Sequence, residues 1–538
     1  MFQSSSAGHA KAYFAASLSK ADYYIKDQEH PGYFHGKIAE RLGIEGAEVT
    51  ADIFNQLCEN INPDTLENLT PRTIEHRRVG YDISFHCPKS VSILHALGKD
   101  DRVLHAFKEA VYKTMRDMEQ DMQTRVRVQG QDHDRDTGEM LWTDFVHETA
   151  RPVKGHAPDP HLHCHCFTFN VTYDHSEQRF KAGQFHNIKL DMPYYQARFQ
   201  KRLADRLSQH GYGIRKTQNG FEVSVIPQKA IDYFSKRTDQ IGRIAKEFQI
   251  TDPKELDGLG ARTRAKKDSH LTMKELRRTW RSDLKAAGLD ARLEGEQPTI
   301  KKDLSVQTCV DHTLDHAYTR SSVKRLRQLQ ATAYSHAIDD RSVSMDQIDQ
   351  VFDQDQRLFT IKDGKQILCT TALVYDEERQ MVTTALHGRG KLRPLVGRDY
   401  KFKADHLDQG QQKAVQHILK STDKITMIRG GAGTGKTTLI KSAVAEIERT
   451  GKSVFLFAPT ANASRHVLKE EGFKQADTVA SLIKNTAHHD QIRNQVIWID
   501  EAGMLGTKDM KQVQDIANNL KARLILSGDP RQHSAVDR

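Results

Sequence analysis

Apolar and polar positions alternate with period two at 79–86 (VGYDISFH), 141–148 (LWTDFVHE) and 162–171 (LHCHCFTFNV), predicting three strands with chemically distinct faces. Apolar residues recurring every three to four positions predict helices at 101–120 and 193–210, and a further helix from Ser90 to Leu97, entered after Pro88. Asn219-Gly220 before FEVSVI predicts a tight hairpin. Together these elements predict an α+β domain, an antiparallel sheet with helices, over residues 1–240. Residues 241–300 are charged and poor in aromatics, and are expected to form a basic helical connector. Residues 301–400 hold short helices followed by DGKQILCTTALVYDEERQMV, and from 401 to 538 short apolar strands alternate with helices, predicting an α/β domain.

Composition refines this picture only locally. The 538 residues are enough for three or four domains. Eighty Lys plus Arg against 71 Asp plus Glu give +9, a thin excess that permits a nucleic-acid partner without requiring one. Two clusters say more: Ala261–Lys267 (ARTRAKK) and Lys274–Lys285 (KELRRTWRSDLK) carry cations at helical spacing suited to phosphate contacts, with Trp280 placed either to stack on a base or to pack in an interface. No apolar run is long enough to cross a bilayer, MFQSSSAGHAK lacks the core of a signal peptide, and six cysteines show no framework spacing. A soluble intracellular protein is expected.

The densest chemistry lies on two of the predicted strands. In His163-x-His165 both imidazoles point to one face, and Thr143, Phe145 and His147 share a face of the preceding strand. The Pro- and Gly-bearing loop Ala150–Pro160 can fold that strand back antiparallel, bringing His147 in as a third ligand. Three neutral imidazoles leave coordination positions open, which suits catalysis. Cys164 and Cys166 offer a rival thiolate site but fall on the opposite face, whereas His161 and His86 are alternatives to His147.

The runs GYDISFHCPKSVSIL, DFVHETARP and DPHLHCHCFTFN, in this order, resemble the MobF conjugative relaxases. The resemblance implies a relaxase fold with a three-histidine (HUH-type) site in which His147, His163 and His165 bind a divalent metal (Mg²⁺, Mn²⁺ or Zn²⁺) and His161 stays outside. It implies nicking of one strand at a transfer origin by a tyrosine, through a 5′-phosphotyrosyl intermediate. Tyr13 matches the primary nucleophile, and Tyr23 or Tyr24 the second, while Phe14 stands where the family usually has another tyrosine. Asp82, on the first strand, matches an aspartate that accepts the tyrosyl proton or orients a ligand histidine. Lys89, from its position alone, reads either as a phosphate contact or, by default, as an ordinary surface lysine.

A second chemistry starts at HLDQGQQKAVQHIL, where Gln411 resembles the adenine-reading glutamine of superfamily 1 helicases. An apolar strand, a glycine-rich turn and a helix start follow in KITMIRGGAGTGKTTLI, fitting G-x-x-x-x-G-K-[ST] with Gly430, Gly433, Gly435, Lys436, Thr437 and Thr438. Its glycines let backbone N–H groups wrap phosphates, Lys436 reaches the β and γ phosphates of ATP, and Thr437 ligates Mg²⁺. QVIWIDEAGML supplies Asp500 for the Mg²⁺ and Glu501 for the attacking water. Gln532 resembles a γ-phosphate sensor, and Ala458–Val467 a strand-binding motif. These features predict a RecA-like P-loop domain over 401–538, with 301–400 similar to the accessory domain that precedes the family's motor.

The expected protein is a relaxase-helicase acting on single-stranded and duplex origin DNA. The resemblance implies relaxosome proteins and a type IV coupling protein as partners, a bacterial cytoplasmic location, and passage to the recipient with the transferred strand. A rolling-circle replication initiator and a non-catalytic origin-binding protein with a nucleotide switch are the alternatives. Because GDPRQHSAVDR ends at Arg538, the second RecA-like domain is expected to be missing, leaving a chain that nicks and rejoins DNA, binds ATP weakly and does not unwind duplexes.

Overall fold

The computed structural model describes residues 2–4, 6–15, 31–71, 77–98, 100–153, 155–248, 250, 252, 271–289, 304–319, 321–430 and 435–529. The chain divides into two compact units, one of residues 1–310 with 330–353, the other of 311–329 with 354–538.

The first unit is built on a five-stranded antiparallel sheet. Its strands are β1 (Phe2–Ser4), β2 (Tyr33–His35), β3 (Gly80–His86), β4 (Trp142–Thr149) and β5 (Pro160–Phe169), in spatial order β1-β3-β5-β4-β2. Alternation gives the sheet two unlike faces. Tyr81, Ile83, Phe85, Trp142, Leu162, Cys164 and Cys166 enter one core with helices α3 (Lys89–Leu97), α4 (Arg102–Gln120) and α5 (Met192–Gln209). On the other face Phe145, Phe167 and Phe169 pack against α1 (Ala7–Tyr13) and α2 (Ala51–Cys58). These faces agree with the predicted ones, and both cysteines lie opposite the histidines.

The segment expected as a connector does not stand apart. Its helix α6 (Met273–Ala286) starts in a Thr272/Glu275 capping box and buries Met273, Leu276, Trp280 and Leu284 in the α3–α5 core. Trp280 is fully buried and its indole N–H donates to the Pro158 carbonyl at 2.8 Å, so it packs and cannot stack on a base. Residues 330–353, expected within an accessory segment, also belong to this unit. The Tyr334 hydroxyl there bonds Asp349, and buried Lys201 donates to the Asp340 carbonyl at 3.0 Å.

The second unit centres on a parallel sheet of β6 (Ile425–Arg429), β7 (Val454–Ala458), β8 (Asp477–Thr478), β9 (Val496–Ile499) and β10 (Arg523–Gly528), in order β6-β10-β9-β7-β8. Helices α7 (Gln409–Lys420) and α8 (Lys436–Arg449) cover one face, and α9 (Thr507–Asn519) the other. Parallel strands buried on both faces read as unbroken apolar runs, which is why VIWI is apolar throughout. Among the described residues no helix is long and apolar enough to cross a membrane.

Replacing Trp280 by Ala removes a fully buried indole, and is expected to destabilise the first unit by about 3–5 kcal/mol. Trp280→Phe keeps most of the apolar volume but strips the Pro158 carbonyl of its donor, costing about 1–3 kcal/mol. Thermal unfolding of the two variants should rank them in that order.

Candidate functional site

Register alone assembles the first site. β5 pairs with β3 so that His163 faces His86 and His165 faces Ser84, and with β4 so that His147 faces His163 and Phe145 faces His165. Between His147 and Thr149 the register shifts by one, a bulge of the kind that re-aims side chains beside functional sites. The His147, His163 and His165 rings lie 5.2–5.4 Å apart, and His161 and His86 extend the array at 4.8 and 5.5 Å from His163. His86 and His161 hydrogen-bond each other at 3.0 Å.

Two tautomers are set by partners. His163 Nδ1 lies 2.9 Å from the His161 carbonyl and so donates to it, and His165 Nδ1 lies 2.7 Å from Asp82 Oδ2. In each ring Nε2 is left as the remaining donor atom for a cation, the arrangement in which a second partner orients a ligand histidine. Burial, and then the neighbouring imidazoles, push His163 well below its ordinary range and keep it neutral, as a metal ligand must be. The donor set therefore fits a divalent cation chemically. Among the described residues no group of three or more His, Cys, Asp or Glu is already set to hold one. The His147 and His163 rings are inclined by 29°, and His165 stands nearly perpendicular to both.

Asp82 joins this array to Tyr13. Tyr13, at the end of α1, donates its hydroxyl to Asp82 Oδ2 at 2.6 Å, and its ring meets His165 edge-on. Burial alone would push the Asp82 carboxyl up. The adjacent His165 and the Tyr13 hydroxyl outweigh it and hold the group below the ordinary carboxylate range. Phe14, next along, is buried, stacked on Phe54 at 4.1 Å and edge-on to Phe145, so the missing hydroxyl would have no water to face. Lys89 Nζ donates to the Pro160 carbonyl at 2.9 Å, so it is engaged at the strand end. Tyr23, Tyr24, Gly433 and Gln532 lie outside the described residues.

The second site lies in the other unit, at the carboxyl ends of its parallel strands, where such sheets bind ligands. Gly435 takes the left-handed conformation (φ 70°) just before α8, whose first turn carries Lys436, Thr437 and Thr438. Gly430 donates its N–H to the Gly528 carbonyl, tying β6 to β10. Lys436 Nζ pairs with Glu501 at 2.7 Å. Asp500 is pushed up by burial and partly offset by Ser527, which donates to it at 2.8 Å and accepts from the Trp498 indole. Gln411 closes a capping box with Asp408 and holds its amide 3.5 Å from the Gly435 carbonyl, beside the loop. Local spacing does not reveal the Lys436–Glu501 pair, which joins residues more than sixty positions apart, whereas the family resemblance already offered Asp82 as a partner of either the tyrosine or a ligand histidine, and it bonds both.

Comparison with known proteins finds relatives of both parts of the chain. Residues 7–287 match the TrwC relaxase family, and residues 406–538 match an AAA domain family. The multifunctional conjugation protein TraI of Escherichia coli is 30% identical over 314 residues, covering 56% of this chain and 17% of TraI. The conjugal transfer protein TraA of Rhizobium radiobacter is 30% identical over 134 residues, covering 25% of this chain and 12% of TraA. The ATP-dependent DNA helicase dda of phage T4 is 32% identical over 83 residues, covering 15% of this chain and 19% of that helicase. The chain thus spans less than a fifth of the length of each of these relatives. Among solved structures, the conjugative relaxase TrwC in its metal-bound complex with oriT DNA is 27% identical, with a TM-score of 0.47, over 54% of this chain and 98% of that one. The relaxase match takes in the Tyr13, Asp82 and histidine positions and spans more than half of the sequence, so the chain belongs to the TrwC relaxase family.

Proposed function

We propose that this chain is a conjugative DNA strand transferase joined to an ATP-binding motor domain. The observation that carries the reading is the hydrogen-bonded line Tyr13–Asp82–His165, which links a phenol to the histidine array through one buried carboxylate.

In the proposed reaction Tyr13 Oη attacks a phosphodiester at a transfer origin. The Oη–P bond forms as the P–O3′ bond breaks, leaving the 5′ side on Tyr13 and the 3′ side as a hydroxyl once its oxygen takes a proton. The phosphodiester energy is retained in the adduct, so attack by a 3′-hydroxyl rejoins the strand without ATP. Asp82 does not hold the tyrosyl proton at rest. Ordinary tyrosine and aspartate differ by about 6 pKa units, about 8 kcal/mol, and the depressed Asp82 widens the gap. Asp82 instead fixes the direction of Oη and takes the proton only as the new bond to phosphorus makes the phenol strongly acidic. A divalent ion held by His147, His163 and His165 would supply positive charge against the scissile phosphate. Tyr23 or Tyr24 would serve a second transfer.

In the second unit, ATP phosphates would occupy the α8 N-terminus, with Lys436 on the β and γ phosphates, Thr437 and Asp500 as Mg²⁺ ligands, and Glu501 toward the attacking water. Relaxosome proteins, a type IV coupling protein, and a cytoplasmic start followed by passage to the recipient all belong to this same reading, and coupling to duplex unwinding belongs to it only for a longer protein.

Tyr13→Phe deletes one hydroxyl and is expected to abolish the covalent adduct on an origin oligonucleotide, with DNA affinity kept within a few fold. Peptide mapping of the adduct checks it, and wild-type adduct formation by Tyr13→Phe would sink the assignment. Asp82→Asn keeps the shape but loses the charge that orients His165. It should weaken divalent-ion binding about 10–100-fold in calorimetric titration, whereas Cys164→Ser, on the other face, should leave the affinity unchanged.

A further inference from the structure

Helix α6 buries one face and turns a cationic stripe to solvent. Lys274, Arg278 and Arg281 recur at four- and three-residue steps, so they share a face and span about 10 Å at 1.5 Å per residue. With Arg277, Asp100 and Asp101 they line a cleft of about 660 Å³ at the carboxyl end of α3. This cleft is built rather than incidental. Arg277 reaches Glu148, which is buried and bonded at 3.0 Å to His95, and Arg281 donates to the Leu97 carbonyl at 3.1 Å. Both guanidinium groups are therefore held in place before any ligand arrives, which lowers the ordering cost of binding.

The charge in the cleft is not balanced. Asp100 is already paired with Arg102 and hydrogen-bonded by the Tyr212 hydroxyl. Lys274 and Arg278 are exposed, and of the two carboxylates lining the cleft, Asp100 is taken up by Arg102, leaving Asp101. A polar, cationic cleft of this length, lined otherwise only by His95 and Gly98, suits successive backbone phosphates. Glu148, which anchors Arg277 beside the cleft, directly follows His147 on β4.

We infer that this cleft binds the sugar-phosphate backbone of DNA beyond the nucleotides at Tyr13, a sequence-independent subsite of the first unit. The inference rests on the strand-transferase reading, yet its test needs no nicking. Lys274 in the full chain would be footprinted by acetylation and mass spectrometry with and without oligo-dT, using Lys113 as the reference. Oligo-dT should protect Lys274, and added salt should restore its reactivity. In parallel, the oligo-dT affinity of Lys274→Glu/Arg278→Glu is measured against salt. Two lost contacts at about 0.7 each should lower the slope of log affinity on log salt by about 1.4, and Lys274→Gln/Arg278→Gln should lower it in the same direction. An unprotected Lys274, or a slope unchanged in both double variants, overturns the inference. Loss of adduct formation alone would count only against the strand-transferase reading.

Discussion

One oxygen of a buried carboxylate carries the first unit's site. Asp82 Oδ2 accepts from the Tyr13 hydroxyl and from His165 Nδ1, and a charge taken out of water is tolerated only when such partners replace its hydration. Three parts of the chain are bound to one another through that charge: α1, which follows the edge strand β1; β3, which bears Asp82; and β5, which bears the histidines. Losing either donor would leave the carboxylate short of a partner inside the protein, at a cost above that of an ordinary hydrogen bond. The position of the phenol and the tautomer of the imidazole are thus one problem with one solution.

The sheet makes that solution unique. Because side chains alternate, slipping β5 by one residue against β3 would place Cys164 and Cys166 on the histidine face and push His163 and His165 into the α3–α5 core. Buried Leu162, Cys164 and Cys166 resist this, as do Phe167 and Phe169 packed under α2. The apolar packing of both faces therefore fixes where the polar groups meet. Phe14 contributes to the same packing, which explains why an apolar ring can stand beside Tyr13 without disturbing the line to Asp82.

Much of this was legible because it is periodic. The strands bearing Asp82, His147 and His163, the helices at 102–120 and 192–209, and the helix opening at Lys436 fall within a residue or two of their sequence patterns. Periodicity names the face a residue occupies but not what covers it. Trp280 therefore read equally as a base-stacking or a packing residue until Pro158 proved to be its partner. For the same reason the return of residues 330–353 to the first unit, and the engagement of Arg277 with Glu148, left no trace in local spacing. The histidine array was only partly legible: spacing put the rings on one face, while the stacking of His163 between His86 and His147 depends on contacts across three strands.

The two units solve the same electrostatic problem in opposite senses. In the first, a buried anion is stabilised by the Tyr13 hydroxyl and His165, so the phenol proposed as nucleophile is already oriented. In the second, Lys436 already has an anion in Glu501, and Asp500 is held by Ser527 on a strand end floored by Trp498. On the proposed reading, a triphosphate entering there would exchange the Lys436–Glu501 pair for Lys436–phosphate contacts and so free the Glu501 carboxylate. Binding and the release of the proposed base toward water would then be one event, set by a single ion pair between the first turn of α8 and the residues that follow β9.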